Sequence, residues 1–275
     1  SGGEYFDDYN PSDQSLIAKV AKGTPEDIDT AVAAAREAFL TFSQSQAKER
    51  EAILSRAAAL VERDRDEYLQ LLVDEVGSPL MKAQFEVEYC INAFRAAAGV
   101  PRRLTGQTMP LDRPGAFGMS VREPVGVIAC ITPFNVPLLK NVKQIAMVIA
   151  TGNTAVLLPS EFASQVTVKF AETLAEAGTP DGVFNYVTGD PFEIGDALTG
   201  HADVAAINFC GSPRIGKHVA ELAAKDLKPI TLELGGKSPL VVLDDADLDK
   251  ALEAATIGIF FFQGQACMAS SRIIL

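Results

Sequence analysis

The feature that most constrains this chain is a strand-then-helix alternation that begins near Val125 and repeats towards its end. Short apolar runs at 125–132, 154–158, 183–187, 204–209 and 240–243 read as strands, with helical segments between them at 138–150, 165–177, 193–198 and 215–224. Strands that are largely apolar, and not on one face only, suit a sheet covered by helices on both sides. The chain is therefore predicted to be α/β, an open and mostly parallel sheet of Rossmann-like type. In such sheets ligands lie beyond the carboxyl ends of the strands. The residues there are Pro133-Phe134-Asn135, Pro159-Ser160-Glu161, Thr188-Gly189-Asp190 and Cys210-Gly211-Ser212. Small and polar side chains thus collect at one edge, which predicts a polar pocket, with a dinucleotide as its first candidate.

The part that precedes the alternation reads as helical. Thr24-Pro25-Glu26-Asp27 combines a threonine cap, proline at the first helical position and acids in the first turn, the signature of a helix start. Helices are expected over 28–42, 47–63, 65–76 and 80–98. From 102 to 123 Gly, Pro and Thr interleave with short apolar pieces, as in an extended arm or hairpin. The charge run Glu62-Arg63-Asp64-Arg65-Asp66 reads as a solvated helix face.

Composition excludes several function classes. A net charge of -12 leaves no basic face for nucleic acid. Two histidines and four widely spaced cysteines, none in a CxxC pair, make a metal site improbable. No apolar run approaches the roughly 20 residues of a membrane span. The start, Ser1-Gly2-Gly3-Glu4, lacks the basic and apolar regions of a signal peptide. The expectation is a cytoplasmic protein with no membrane and no nucleic-acid partner.

Three motifs carry chemistry. Gly211-Ser212-Pro213-Arg214-Ile215-Gly216-Lys217 follows a strand and opens a helix, but His218 stands where a phosphate-binding loop needs a hydroxyl for magnesium, and Pro213 removes an N–H. What remains is a Gly-Ser at a helix N-terminus, either an anion site or an ordinary tight turn. Leu232-Glu233-Leu234-Gly235-Gly236-Lys237 sets a carboxylate between leucines and beside a Gly-Gly turn. Burial there would raise its pKa into the range of a general base. Gly264-Gln265-Ala266-Cys267-Met268-Ala269 surrounds a cysteine with small residues. If that loop opens a helix, its N–H groups would favour the thiolate. Cys90, Cys130 and Cys210 read as inert packing.

Together these stretches resemble the aldehyde dehydrogenase superfamily. The likeness rests on Phe260-x-x-x-Gly264-Gln265-x-Cys267 with Arg272, on Glu233 of Glu-Leu-Gly-Gly-Lys, on Ile131-Thr132-Pro133-Phe134-Asn135, on the 150–161 stretch ending Leu158-Pro159-Ser160-Glu161, and on Phe209-Cys210-Gly211-Ser212 to Gly216, in the family's order. The resemblance implies that Cys267 is the nucleophile, Asn135 the oxyanion donor and Glu233 the water-activating base. It implies a cofactor site at Ile131, Thr132, Pro133, Phe134, Leu158, Ser160, Glu161, Gly211, Ser212, Leu234 and Gly235. In the implied reaction the Cys267 thiolate attacks an aldehyde, hydride passes to the nicotinamide, and water releases the acid from the thioester. Each oxyanion donor is worth ~3–4 kcal/mol in comparable sites.

Leu158 stands where the family usually has a lysine directed at the adenosine ribose, and Phe262 where it usually has Asn. Glu161 would accept from ribose hydroxyls and repel a 2′-phosphate, which favours NAD, with NADP the alternative. The resemblance also divides the chain into a helical part of the cofactor domain (1–103), an oligomerisation arm (104–124), an NAD(P)-binding α/β domain (125–245) and the start of a catalytic domain (246–275). The family is longer, and the resemblance implies a homo-oligomer for the full-length protein, acting on a small aldehyde. Two other readings stand beside this one. The first is an acylating dehydrogenase that passes the thioester to coenzyme A, which has less need of Glu233. The second is a silent nucleotide-binding fragment, which needs no reactive Cys267.

Overall fold

The computed structural model of the protein describes residues 3–275, so Ser1 and Gly2 of the N-terminal reading lie outside the described residues. The chain opens with β1 (Tyr5–Tyr9) and β2 (Leu16–Ala21), an antiparallel hairpin. Sequence reasoning gave this region no strand, because most of its side chains are exposed and no apolar face marks them. Then come α1 (Pro25–Phe42), α2 (Ala47–Arg63), α3 (Arg65–Asp74) and α4 (Leu80–Ala98), within a few residues of expectation. The α1 start is a capping box: the Asp27 N–H donates to Thr24 Oγ1 and the Thr24 N–H donates to the Asp27 carboxylate. The arm is a second hairpin, β3 (Gln107–Met109) against β4 (Gly118–Ser120).

The alternation itself is β5 (Val127–Thr132), α5 (Pro137–Ala150), β6 (Thr154–Pro159), α6 (Ser164–Glu176), β7 (Phe184–Tyr186), α7 (Pro191–Gly200), β8 (Val204–Gly211), α8 (Pro213–Lys225) and β9 (Ile230–Leu234). These five strands form one parallel sheet in the order β7-β6-β5-β8-β9. The fifth strand corrects the sequence expectation of 240–243. Instead β10 (Ser238–Val241) leaves the sheet and pairs in parallel with β11 (Ser270–Ile274), after α9 (Leu248–Phe260). The true fifth strand escaped notice because Ile-Thr-Leu-Glu-Leu is a half-exposed edge, not an apolar run.

Both faces of the sheet are covered, as continuous apolar strands require. On one face Ile128, Cys130, Ala155 and Leu157 pack with α2 to α6; on the other Val127, Ala129, Val156 and Leu158 pack with α1, α7 and α8. Successive residues alternate between the two cores, the period-2 geometry of a strand. Strand order reverses at β5, with β6 on one side and β8 on the other. That is the switch point at which a crevice opens beyond the strand ends. Among the described residues no helix is long and apolar enough to cross a membrane.

A buried ion pair ties the helical layer to this crevice. Lys82 and Glu86, both fully buried on α4, lie 2.5 Å apart. Lys82 also donates to Ser78 Oγ at 3.0 Å and sits 4.4 Å above the Phe262 ring. Glu86 Oε1 accepts the Leu139 N–H at 2.9 Å, supplying an acceptor to the first turn of α5. Phe262 is thus a buried core residue that anchors the loop before Cys267.

Candidate active site

The crevice has two connected lobes that share Pro133, Phe134, Cys210, Gly211 and Ser212. The larger, about 350 Å³, is lined by Asn135, Glu233, Leu234, Gly235 and Cys267 besides the shared residues. The smaller, about 160 Å³, is lined by Ile131, Thr132, Ser160, Glu161, Phe192 and Ile215. Almost every residue singled out from sequence therefore meets in one place. Leu158 does not. Its side chain is completely buried in the second core, with Ile194 and Leu198, and faces neither lobe. The expectation that it borders a ribose is corrected: β6 alternation turns it into the core under α1, α7 and α8.

Each side chain is held by its local structure. Asn135 follows β5 in the turn before α5, and its Nδ2 donates to the Gln265 carbonyl at 2.7 Å. One amide hydrogen thus ties Asn135 to the Cys267 loop, and the amide carries a second. The loop itself turns through Gln263 at φ 45° and Gly264 at φ 76°. Two successive left-handed residues, one of them not glycine, are a costly conformation of the kind that clusters at functional sites. Gly264 therefore shapes the turn. Cys267 is exposed, in a turn that leads into β11. Among the described residues the loop leads into β11 and not into a helix, so the expected contribution from helix N–H groups is not made at this cysteine.

Glu233 lies at the end of β9, and its carboxylate contradicts the expected burial. It is 45% exposed, with Oε2 3.3 Å from Lys140 Nζ and Oε1 3.6 Å from Lys143 Nζ. The Lys140 ammonium first, and then Lys143, hold its pKa below the ordinary glutamate value instead of above it. Lys140 itself is raised. Burial would lower it, but Cys210, Glu233 and Cys267 outweigh that.

Cys210 also departs from its reading as inert packing, since it lines both lobes. Burial raises its thiol pKa, and Lys140 works against that shift. Lys140 went unnoticed in the sequence. The available signal was a lysine inside the apolar helix Pro137-Leu-Leu-Lys-Asn-Val-Lys-Gln-Ile-Ala-Met, where a buried charge is rare unless paired. At the junction of the lobes Ser212 caps α8, its Oγ accepting the Ile215 N–H at 3.3 Å.

Comparison with known proteins agrees with this geometry. The profile of the aldehyde dehydrogenase family matches residues 1–275. A vanillin dehydrogenase of Pseudomonas fluorescens is 40% identical over 276 residues, covering 99% of this chain and 57% of that protein. A salicylaldehyde dehydrogenase from Pseudomonas putida G7, solved with salicylaldehyde, superposes with a TM-score of 0.97 at 37% identity, covering 99% of this chain and 57% of that one. An aldehyde dehydrogenase from Bacillus cereus, solved as its NAD+ complex, gives 0.96 at 37% identity, with 99% and 56% coverage. The chain thus spans a little over half the length of these relatives.

Proposed function

The chain belongs to the aldehyde dehydrogenase family, and on that premise we propose that it carries the cofactor cleft, nucleophile and base for the NAD-dependent oxidation of a small aldehyde to its acid. The observation that carries this reading is the convergence of Asn135, Glu233 and Cys267, from three distant stretches of chain, on one lobe of one cleft. Asn135 is hydrogen-bonded into the very loop that bears the cysteine.

The cleft suits a dinucleotide. Its smaller lobe offers apolar walls at Ile131, Phe192 and Ile215 for a flat ring. Gly211 and Ser212 sit at the N-terminus of α8, where free N–H groups and the helix dipole favour a phosphate. At Gly235 nothing approaches within 4 Å of where a side chain would begin, so a ring can lie against the backbone. Glu161 accepts from Ser160 at the cleft edge and brings a negative charge that disfavours a 2′-phosphate, which supports NAD over NADP. When bound, the nicotinamide supplies the hydride acceptor.

The chain's own residues do the rest. The Cys267 sulfur attacks the carbonyl carbon. The free hydrogen of the Asn135 amide and the Cys267 N–H stabilise the oxygen that becomes negative, ~3–4 kcal/mol per donor. Once the acyl group is on Cys267, Glu233 takes a proton from the water that releases the acid. A carboxylate in the same lobe as the sulfur favours hydrolysis over transfer to coenzyme A. We assign 1–103 and 125–245 to the cofactor-binding part, 104–124 to an arm that meets another subunit, and 246–275 to the beginning of the catalytic part. The test is NADH formation with a panel of aromatic and aliphatic aldehydes by the protein that carries this chain. Cys267→Ala should abolish it while Cys90→Ala and Cys130→Ala retain it. Turnover by Cys267→Ala would refute the assignment.

A further inference from the structure

We propose that Lys140 is a positioning residue for Glu233: its ammonium fixes the carboxylate at the Cys267 end of the cleft and sets how tightly that carboxylate holds a proton. The inference rests on the reading of Glu233 as the base. Two lysines one helical turn apart on α5 each hold one carboxylate oxygen, at 3.3 Å for Lys140 and 3.6 Å for Lys143. They are not equivalent. The Lys140 side chain is 7% exposed and that of Lys143 49%. Solvent screens the outer pair and leaves the inner one at a lower local dielectric, where the same charge separation is worth more.

A buried ammonium normally loses its proton unless anions surround it. Here the Glu233 carboxylate on β9 lies 3.3 Å away and favours the Lys140 charge, so the cation persists, with Cys210 on β8 and Cys267 in its loop nearby. Those two lysines and two thiols are the titratable groups that act on Glu233 or on its partner. The consequence for chemistry is specific. Glu233 stays ionised and oriented at neutral pH, and the proton it takes from water meets a neighbouring cation that favours its onward release. Lys140 touches neither substrate nor the Cys267 sulfur in this account; it acts through Glu233.

The test is a carboxyl 13C titration of protein labelled at glutamate, with the Glu233 signal assigned by its loss in Glu233→Gln. Lys140→Met keeps the length of the side chain and suits its buried surroundings. It should raise the proton affinity of Glu233 roughly threefold to tenfold, as expected for removal of an adjacent opposite charge at intermediate dielectric. Lys143→Met should raise it less, and Lys140→Arg should restore the wild-type curve. If Lys140→Met does not fold by circular dichroism, Lys140→Gln is titrated with the same expectation. An unchanged Glu233 curve without Lys140, or a larger change without Lys143, overturns the inference. The acid limb of thioester hydrolysis should move upward with the titration in the same variant. A titration that shifts while the hydrolysis profile stays put upholds the Lys140–Glu233 coupling and refutes Glu233 as the base.

Discussion

Replacing Glu86 by glutamine should unfold this protein far more readily than its conservative shape suggests. Glu86 and Lys82 are both fully buried, with their charges 2.5 Å apart. Burial pushes the Glu86 carboxyl up and the Lys82 ammonium down, and each opposes the other's shift. Glutamine keeps an acceptor for the Leu139 N–H, so the α5 start is not deprived. What it removes is the anion, which leaves Lys82 with Ser78 and the Phe262 ring. Breaking one side of a buried pair typically costs ~3–5 kcal/mol, and the surviving contacts place this case near ~3 kcal/mol. The double variant Lys82→Met with Glu86→Gln buries no lone charge and should recover at least ~2 kcal/mol of that loss. Urea unfolding followed by far-ultraviolet circular dichroism measures both, since the chain has no tryptophan to report by fluorescence. A single variant that loses less than ~1 kcal/mol, or a double variant no more stable than the single one, would refute the reasoning.

Three further expectations follow from burial and charge. Leu158→Ala should cost ~2–5 kcal/mol in the same assay, because the side chain is completely enclosed in the second core; Leu158→Lys should destabilise the fold without tightening NAD in calorimetric titration. The Glu75 carboxyl is pushed up to about 8, first by burial and then by neighbouring Asp8. Such a group stabilises the fold fully below its unfolded pKa of ~4.3 and loses that contribution as pH rises through about 8, so Glu75→Gln should flatten the decline in urea midpoint over that window. Iodoacetamide should modify Cys267 first in the native protein, since it is exposed and Cys90, Cys130 and Cys210 are buried; equal labelling of all four would contradict the fold.

How far sequence reading reached depended on whether a feature leaves a periodic or punctuated trace. The strands β5, β6 and β8 and the helices between them were legible because burial on both faces keeps them largely apolar. Thr24-Pro25 announced α1 because a cap and proline have fixed positions at a helix start. The β1–β2 hairpin and edge strand β9 were not legible, since exposed strands keep polar residues on both faces. Asn135, Glu233 and Cys267 were found from local motifs, and their meeting in one lobe is a tertiary fact. The protonation of Glu233 was misjudged for the same reason. Its flanking leucines suggested burial, whereas its charge state depends on Lys140, a residue 93 positions away in sequence. Leu158 failed by one step of strand alternation, which decides between a cleft wall and a core.

The central claim is that aldehyde carbon becomes bonded to Cys267 and is freed by Glu233. The most direct measurement is intact and peptide mass spectrometry of the Glu233→Gln protein, quenched after mixing with benzaldehyde and NAD. The account predicts one benzoyl group per active site, located on the peptide that contains Cys267, accompanied by a burst of NADH and followed by slow release. No adduct together with undiminished steady turnover, or an acyl group on any other residue, would contradict it.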